Sequence, residues 1–144
     1  MTSQLNVDTI VDKAGSGGTN IKVANNAVAV AEGGSATTTV VQGLAKAWVN
    51  FDGDASGIAI RDSFNVSGNT DNGTGDYTIT FSNAMSNGSY SLAGAGEAGG
   101  GGSVMALAVN DTGGLTTASA RIFTKTGNPA DSNVVTSTIN GDLA

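Results

Sequence analysis

Hydrophobic and polar positions alternate along this chain in short bursts, most sharply at Tyr77, Thr78, Ile79, Thr80 and Phe81. A period of two sends successive side chains to opposite faces of a strand. These five residues therefore predict a β-strand that turns Tyr77, Ile79 and Phe81 toward a core. The same pattern predicts strands over residues 47–51, 58–60, 62–66, 89–93, 104–109, 115–124 and 133–139. Turn-formers separate them: Asp52-Gly53, the cluster GNTDNGTGD at 68–76, Asn87-Gly88 and the glycine tract at 99–102. Asn-Gly tolerates the positive φ of a primed turn, so Asn87-Gly88 is expected to open a hairpin into 89–93. Short strands at this spacing predict an all-β fold, an antiparallel β-sandwich.

The N-terminal third has a different pattern. Residues 4–11, 20–23 and 26–31 read as β-like pieces, punctuated by GSGG at 15–18 and EGGS at 32–35. Alanine makes 23–31 a candidate helix as well. The valines at alternate positions and the flanking Asn25-Asn26 and Gly33-Gly34 favour a strand. Residues 36–46 read as a strand or a linker. All the aromatic residues lie between Trp48 and Phe123, and the first 47 residues hold none. Aromatic side chains bury the largest area per residue, which assigns the core to the later part of the chain. The expected core residues are Trp48, Phe51, Phe64, Tyr77, Ile79, Phe81 and Phe123. The early aliphatic residues Leu5, Val7, Ile10, Val11, Ile21 and Val23 offer too little surface to offset their own ordering entropy. They are expected to pack on another subunit or another protein. The chain thus divides into an extended, β-rich assembly segment at 1–45 and a sandwich domain at 46–144.

Composition removes several chemistries. The chain has no histidine and no cysteine. Ser-His-Asp and Cys-His catalysis in their usual forms, and zinc held by imidazole or thiolate, are excluded. No disulfide can staple the fold, so stability is expected from packing and oligomerisation. The net charge is −6 and no Lys/Arg cluster occurs, which argues against nucleic-acid binding. No apolar window is long enough to span a membrane, and the first residues lack the basic and apolar regions of a signal peptide. Charged residues are 12% of the chain against roughly 25% in ordinary domains. With 22 glycines, that composition suits a neutral, turn-rich β surface and not helices.

The candidate motifs are weak. GAGEAG at 94–99 matches GxGxxG, but a dinucleotide site needs that turn to open a helix, and here GGGS and a β-like VMALAV follow. A solvated loop, or a tip that adapts to a bound glycan or protein, fits better. Asp52/Asp54 and Asp71/Asp76 lack the distal bidentate Glu of a calcium loop, so turn capping is the expected role. Nothing in the sequence places two carboxylates across a cleft for glycan hydrolysis. Four Asn-x-Ser/Thr sequons, at Asn65, Asn72, Asn87 and Asn110, are about what this Asn-, Ser- and Thr-rich composition yields by chance. Trp48 and Phe51 could contact a receptor, although a Trp in an alternating strand more often belongs to a core. No cofactor is implied.

The stretches AKAWVNFDG, IAIRDSFNVSG and TDNGTGDYTITFSNAMSNGSYSL follow one another over about 50 residues. In wording and order they resemble a β domain of tail fibres from short-tailed phages of cyanobacteria and other aquatic bacteria. The ending LTTASARIFTKTGNPADSNVVTSTING is similar to how such domains close, and SQLNVDTIVDKAGSGGTNIKV is similar to the opening of many phage appendage proteins. The resemblance implies a homotrimeric virion protein that attaches the particle to its host without catalysis. Its expected partners are copies of itself, other phage structural proteins of tail or capsid, and a host surface receptor. It implies no nucleic acid and no membrane insertion. At 144 residues without a fibrous shaft, the chain also fits a capsid decoration or cement protein that stabilises the phage head. A glycan-cleaving enzyme is the third class, and it would need paired carboxylates.

Overall fold

The computed structural model describes residues 28–30, 37–54, 57–98 and 103–144. Two compact units divide the chain, Met1–Val41 and Gln42–Ala144. In the first, β1 (Val28–Val30) pairs antiparallel with β2 (Thr37–Thr39), with Val28 opposite Thr39. This places a strand within the alternating 26–31 stretch. Leu5, Val7, Ile10, Val11, Ile21 and Val23, expected from sequence to serve assembly, lie outside the described residues. A single helical turn, α1 (Val40–Gly43), follows β2.

Among the described residues the second unit holds eight strands: β3 (Ala47–Asp52), β4 (Ala59–Phe64), β5 (Val66–Gly73), β6 (Asp76–Phe81), β7 (Ser91–Ala98), β8 (Ser103–Val109), β9 (Ser119–Lys125) and β10 (Val135–Asn140). They form one antiparallel sheet in the order β4-β3-β10-β7-β8-β9-β6-β5, nearly closed into a barrel. One continuous sheet stands where two stacked sheets were expected.

The period of two explains the core. Along β3, Ala47, Val49 and Phe51 are buried, and β6 supplies Tyr77, Ile79 and Phe81. Ala120 and Ile122 of β9, with Val135 and Ile139 of β10, complete it, and Met85 and Tyr90 pack in from the connection between β6 and β7. Two edge-to-face ring pairs organise this interior: Phe51–Tyr77 with centroids 5.1 Å apart and Phe81–Tyr90 at 5.8 Å. The quadrupole of each ring favours that geometry.

The sheet ends at β4 on one side and β5 on the other, and only Asn65 separates these strands in sequence. The chain therefore passes from one end of the sheet to the other through one residue. Asn65 has φ of 56°, a left-handed conformation that Asn tolerates better than most side chains. Its amide fixes the corner. Nδ2 donates to the carbonyls of Lys46 (3.0 Å) and Asn83 (3.1 Å), and Oδ1 accepts from Asn83 N (2.7 Å) and Nδ2 (3.0 Å). The bend also resets the alternation. Phe64 lies opposite outward-facing Trp48, whereas Val66, two residues on, packs on the core.

Several expectations change here. Phe64 is 52% exposed, not core, while Trp48 and Phe123 are half-buried on the outer face. The 68–76 cluster is mostly strand: β5 runs through it to Gly73, held by its ladder with β6, and the turn shrinks to Thr74 and Gly75. Asn87-Gly88 makes no hairpin. It lies in a connection between β6 and β7, which are not neighbours in the sheet.

Candidate functional site

On β3 the inward positions are fixed by Ala47, Val49 and Phe51, so Trp48 must face out. Register carries this outward row across three more strands. Phe64 of β4 lies opposite Trp48, Thr138 of β10 opposes Trp48 from its other side, and Ala93 of β7 opposes Thr138. The next row reads Asp62, Asn50, Thr136, Ala95, Ala106 and Lys125. Ala93, Ala95, Ala106 and Thr138 are exposed. The result is an outward sheet face of small side chains with an aromatic pair at one side and a lysine at the other. An exposed Phe beside a half-buried Trp on paired strands is a rigid apolar platform, held without the entropy cost of ordering a loop.

The edge strand carrying Phe64 is pinned by Arg61. Its guanidinium donates to Asp52 Oδ2 (2.9 Å), Asn50 Oδ1 (3.3 Å), the Phe51 carbonyl (3.2 Å) and the Asn133 carbonyl. The register between β3 and β4 shifts at Asn50/Phe51, which twists the strand there. These contacts tie β4 to β3 and to the approach of β10, so the platform sits on fixed backbone.

Of the four acidic residues singled out in the sequence, Asp52, Asp71 and Asp76 have their carboxylates engaged in the fold, and Asp54 contributes a backbone N–H. Asp52 pairs with Arg61 and also accepts from Asp54 N at 3.1 Å. Asp71 Oδ1 accepts from Gly73 N at 2.8 Å. Asp76, mostly buried, receives Nε (2.9 Å) and Nη2 (2.7 Å) of Arg121. That two-pronged contact holds the Asp76 carboxyl below its ordinary range, against the opposing pull of desolvation. The Asp76 contribution to stability is present above the ordinary carboxylate range and is lost as pH falls through the lowered folded value. Asp131 Oδ1 accepts from Gly75 N (2.6 Å) and the Tyr77 hydroxyl (3.1 Å), closing the turn between β5 and β6. Among the described residues no three acidic side chains converge to hold a metal ion.

The GxGxxG stretch lies on β7 from Gly94 to Ala98, so its described part opens no helix. Gly94 serves packing: a Cβ there would stand 2.2 Å from the Thr136 carbonyl oxygen and 2.7 Å from Leu107 Cδ2. Of the sequons, Asn65 has its amide nitrogen committed to two carbonyls and Asn110 is buried. Of the two aromatics considered for receptor contact, Phe51 is fully buried and Trp48 faces out. Phe64, assigned to the core from sequence, is the platform residue that sequence reasoning missed. Half of the signal was available. Trp48 and Phe51 are three residues apart, and a period of two cannot point both inward. Compared with known protein families, curated proteins and solved structures, the chain matches none.

Proposed function

We propose that this chain is a non-catalytic structural protein of a phage virion, a tail fibre or fibre-like appendage that works as a homotrimer in host attachment. The resemblance of residues 45–92 and of the ending at 115–141 to tail-fibre domains supports the class. The observation that carries the attachment role is the outward Trp48–Phe64 pair on a braced pair of strands. Such a pair presents apolar ring faces to a host surface group, and three copies multiply individually weak contacts. The aliphatic residues Leu5, Val7, Ile10, Val11, Ile21 and Val23 serve assembly between copies and docking to the particle.

Cryo-electron microscopy of the intact particle tests this reading. Three-fold density for the chain on the tail, with the barrel distal, supports the fibre role. Density at three-fold or quasi-three-fold positions of the head replaces it with a capsid decoration or cement role. A sedimentation mass of one chain at micromolar concentration removes the trimer.

A further inference from the structure

The chain contains three Asn-Gly pairs, Asn72-Gly73, Asn87-Gly88 and Asn140-Gly141. Asn140 ends β10 and pairs with Ser91 of β7, and the fold treats the other two pairs differently. We propose that Asn87-Gly88 is a site of spontaneous deamidation, at which the folded protein converts Asn87 to aspartate and isoaspartate while Asn72 is protected.

The reaction needs the backbone nitrogen of the following residue to reach the Asn side-chain carbon. Glycine offers the least hindrance to that approach. Asn87 lies in the 86–89 turn, outside any strand, and is exposed. Its Oδ1 accepts the Ser89 N–H at 2.7 Å, which folds the side chain back over the Gly88 peptide. That N–H polarises the carbonyl and stabilises the oxyanion that forms as Gly88 N attacks Cγ, as donors do in oxyanion holes. The leaving nitrogen, Nδ2, stands 3.2 Å from Ser86 Oγ, a hydroxyl able to relay a proton.

The balance is simple. Gly88 N forms a bond to Asn87 Cγ and loses its proton. The Cγ–Nδ2 bond breaks and ammonia departs, leaving a succinimide. One water then opens either ring carbonyl, giving aspartate or isoaspartate. No oxidant or cofactor takes part.

Asn72 faces three obstacles. Its Nδ2 donates to Thr78 Oγ1 at 2.8 Å, and the attacking Gly73 N–H is donated to Asp71 Oδ1 at 2.8 Å. The flanking residues are held by the β5–β6 ladder, Asp71 opposite Tyr77 and Gly73 opposite Asp76. Folding Asn72 onto Gly73 breaks these contacts before any ring closes.

Packing also keeps the reactive pair in place. A Cβ on Gly88 would stand 2.7 Å from the Leu115 carbonyl oxygen, so a side chain at this position displaces backbone. The two products differ in consequence. Aspartate keeps an oxygen for Ser89 N–H, whereas isoaspartate adds a methylene to the backbone. That insertion falls beside Met85 and Tyr90, which are core residues.

The test is to age the full-length folded protein in mildly alkaline buffer and quantify Asn, Asp and isoAsp at both positions by peptide mass spectrometry. Residue 87 is expected to convert at least about tenfold faster than 72, the rate equivalent of one hydrogen bond that must first break. In denaturant the two rates should converge. Thr78→Val removes the closer of the two partners of Asn72 Nδ2, the other being Asp76 Oδ1 at 3.5 Å, and is expected to raise its rate severalfold without changing that of Asn87. Equal rates in the folded protein, or faster conversion at Asn72, overturn the proposal. So does a difference between the sites that persists in denaturant, because the fold is then not its cause.

Discussion

Four aromatic side chains of the barrel point in and three point out. Phe51, Tyr77, Phe81 and Tyr90 are buried, joined in two edge-to-face pairs. Trp48, Phe64 and Phe123 lie on the outer face, half-buried or exposed. Residue type does not separate the groups, since phenylalanine occurs in both. Position in the pleat does: Trp48 lies between buried Ala47 and Val49, and Phe123 between buried Ile122 and Thr124. The inner set gains by leaving water and holds the fold. The outer set keeps apolar surface in water, a cost that only a partner recovers.

Truncation gives the largest contrast. Phe51→Ala removes a fully buried ring and leaves Tyr77 facing a cavity, and should cost about 3–5 kcal/mol in urea unfolding at unchanged m. Phe64→Ala should cost no more than about 0.5 kcal/mol, as for an ordinary surface substitution. Equal costs for the two would break the division between inner and outer aromatics.

High pH probes the inner set alone. Burial pushes the hydroxyls of Tyr77 and Tyr90 up to about 12 from an ordinary value of 10, and Asp131 adds to the effect at Tyr77. Below 10 both folded and unfolded chains keep these protons, so the stability they contribute is fully present. Between about 10 and 12 the unfolded chain releases them first, and stability falls as pH rises. Each tyrosine should weaken folding by about 2–3 kcal/mol across that window. Denaturation midpoints followed from pH 9 to 12 should drop steeply, and Tyr90→Phe should flatten the drop. A midpoint unchanged to pH 12 would contradict the burial of these rings.

The strand pattern was legible where side chains alternate strongly. Tyr77, Ile79 and Phe81 were read as inward from three apolar positions in five residues, and all three are buried. The outer platform was not legible, because it depends on register between strands distant in sequence and on one backbone bend. Asn65 sits in an ordinary-looking FNVS, and its left-handed conformation is fixed by Lys46 and Asn83, 19 and 18 residues away. Likewise β5 forms although five of its eight residues are Gly, Asn or Asp, types depleted in strands, because β6 supplies the pairing partner. The Asn87-Gly88 pair was read as a hairpin from local chemistry, but β7 pairs with β8 and β10 instead of β6.

The bend can be tested by separating conformation from contacts. Asn65→Ala loses four hydrogen bonds and keeps a Cβ in the left-handed region, and should cost about 2 kcal/mol or more. Asn65→Gly loses the same bonds but relieves the backbone, and should recover about 1 kcal/mol of that loss. If glycine and alanine cost the same, the bend does not rest on φ at this residue. Phe64 then faces outward because of its pairing with Trp48 alone.

The smallest effect on stability should accompany the largest effect on attachment. Phe64→Ser leaves the barrel intact, since the ring is mostly in solvent and the inner pairs do not touch the outer face. Its urea midpoint should match the unsubstituted protein within about 0.5 kcal/mol. On the attachment reading proposed above, particles carrying the substitution should adsorb to host cells more slowly, because each copy would lose an apolar contact that a trimer would amplify. Trp48→Ser should slow adsorption as well, with a larger stability cost because that ring is half-buried. Normal adsorption by both variants, with intact barrels, would move host contact away from this face. On the proposed virion reading the paired rings would then serve contact with a neighbouring structural protein, and a lowered thermal tolerance of the variant particles would be the sign of it.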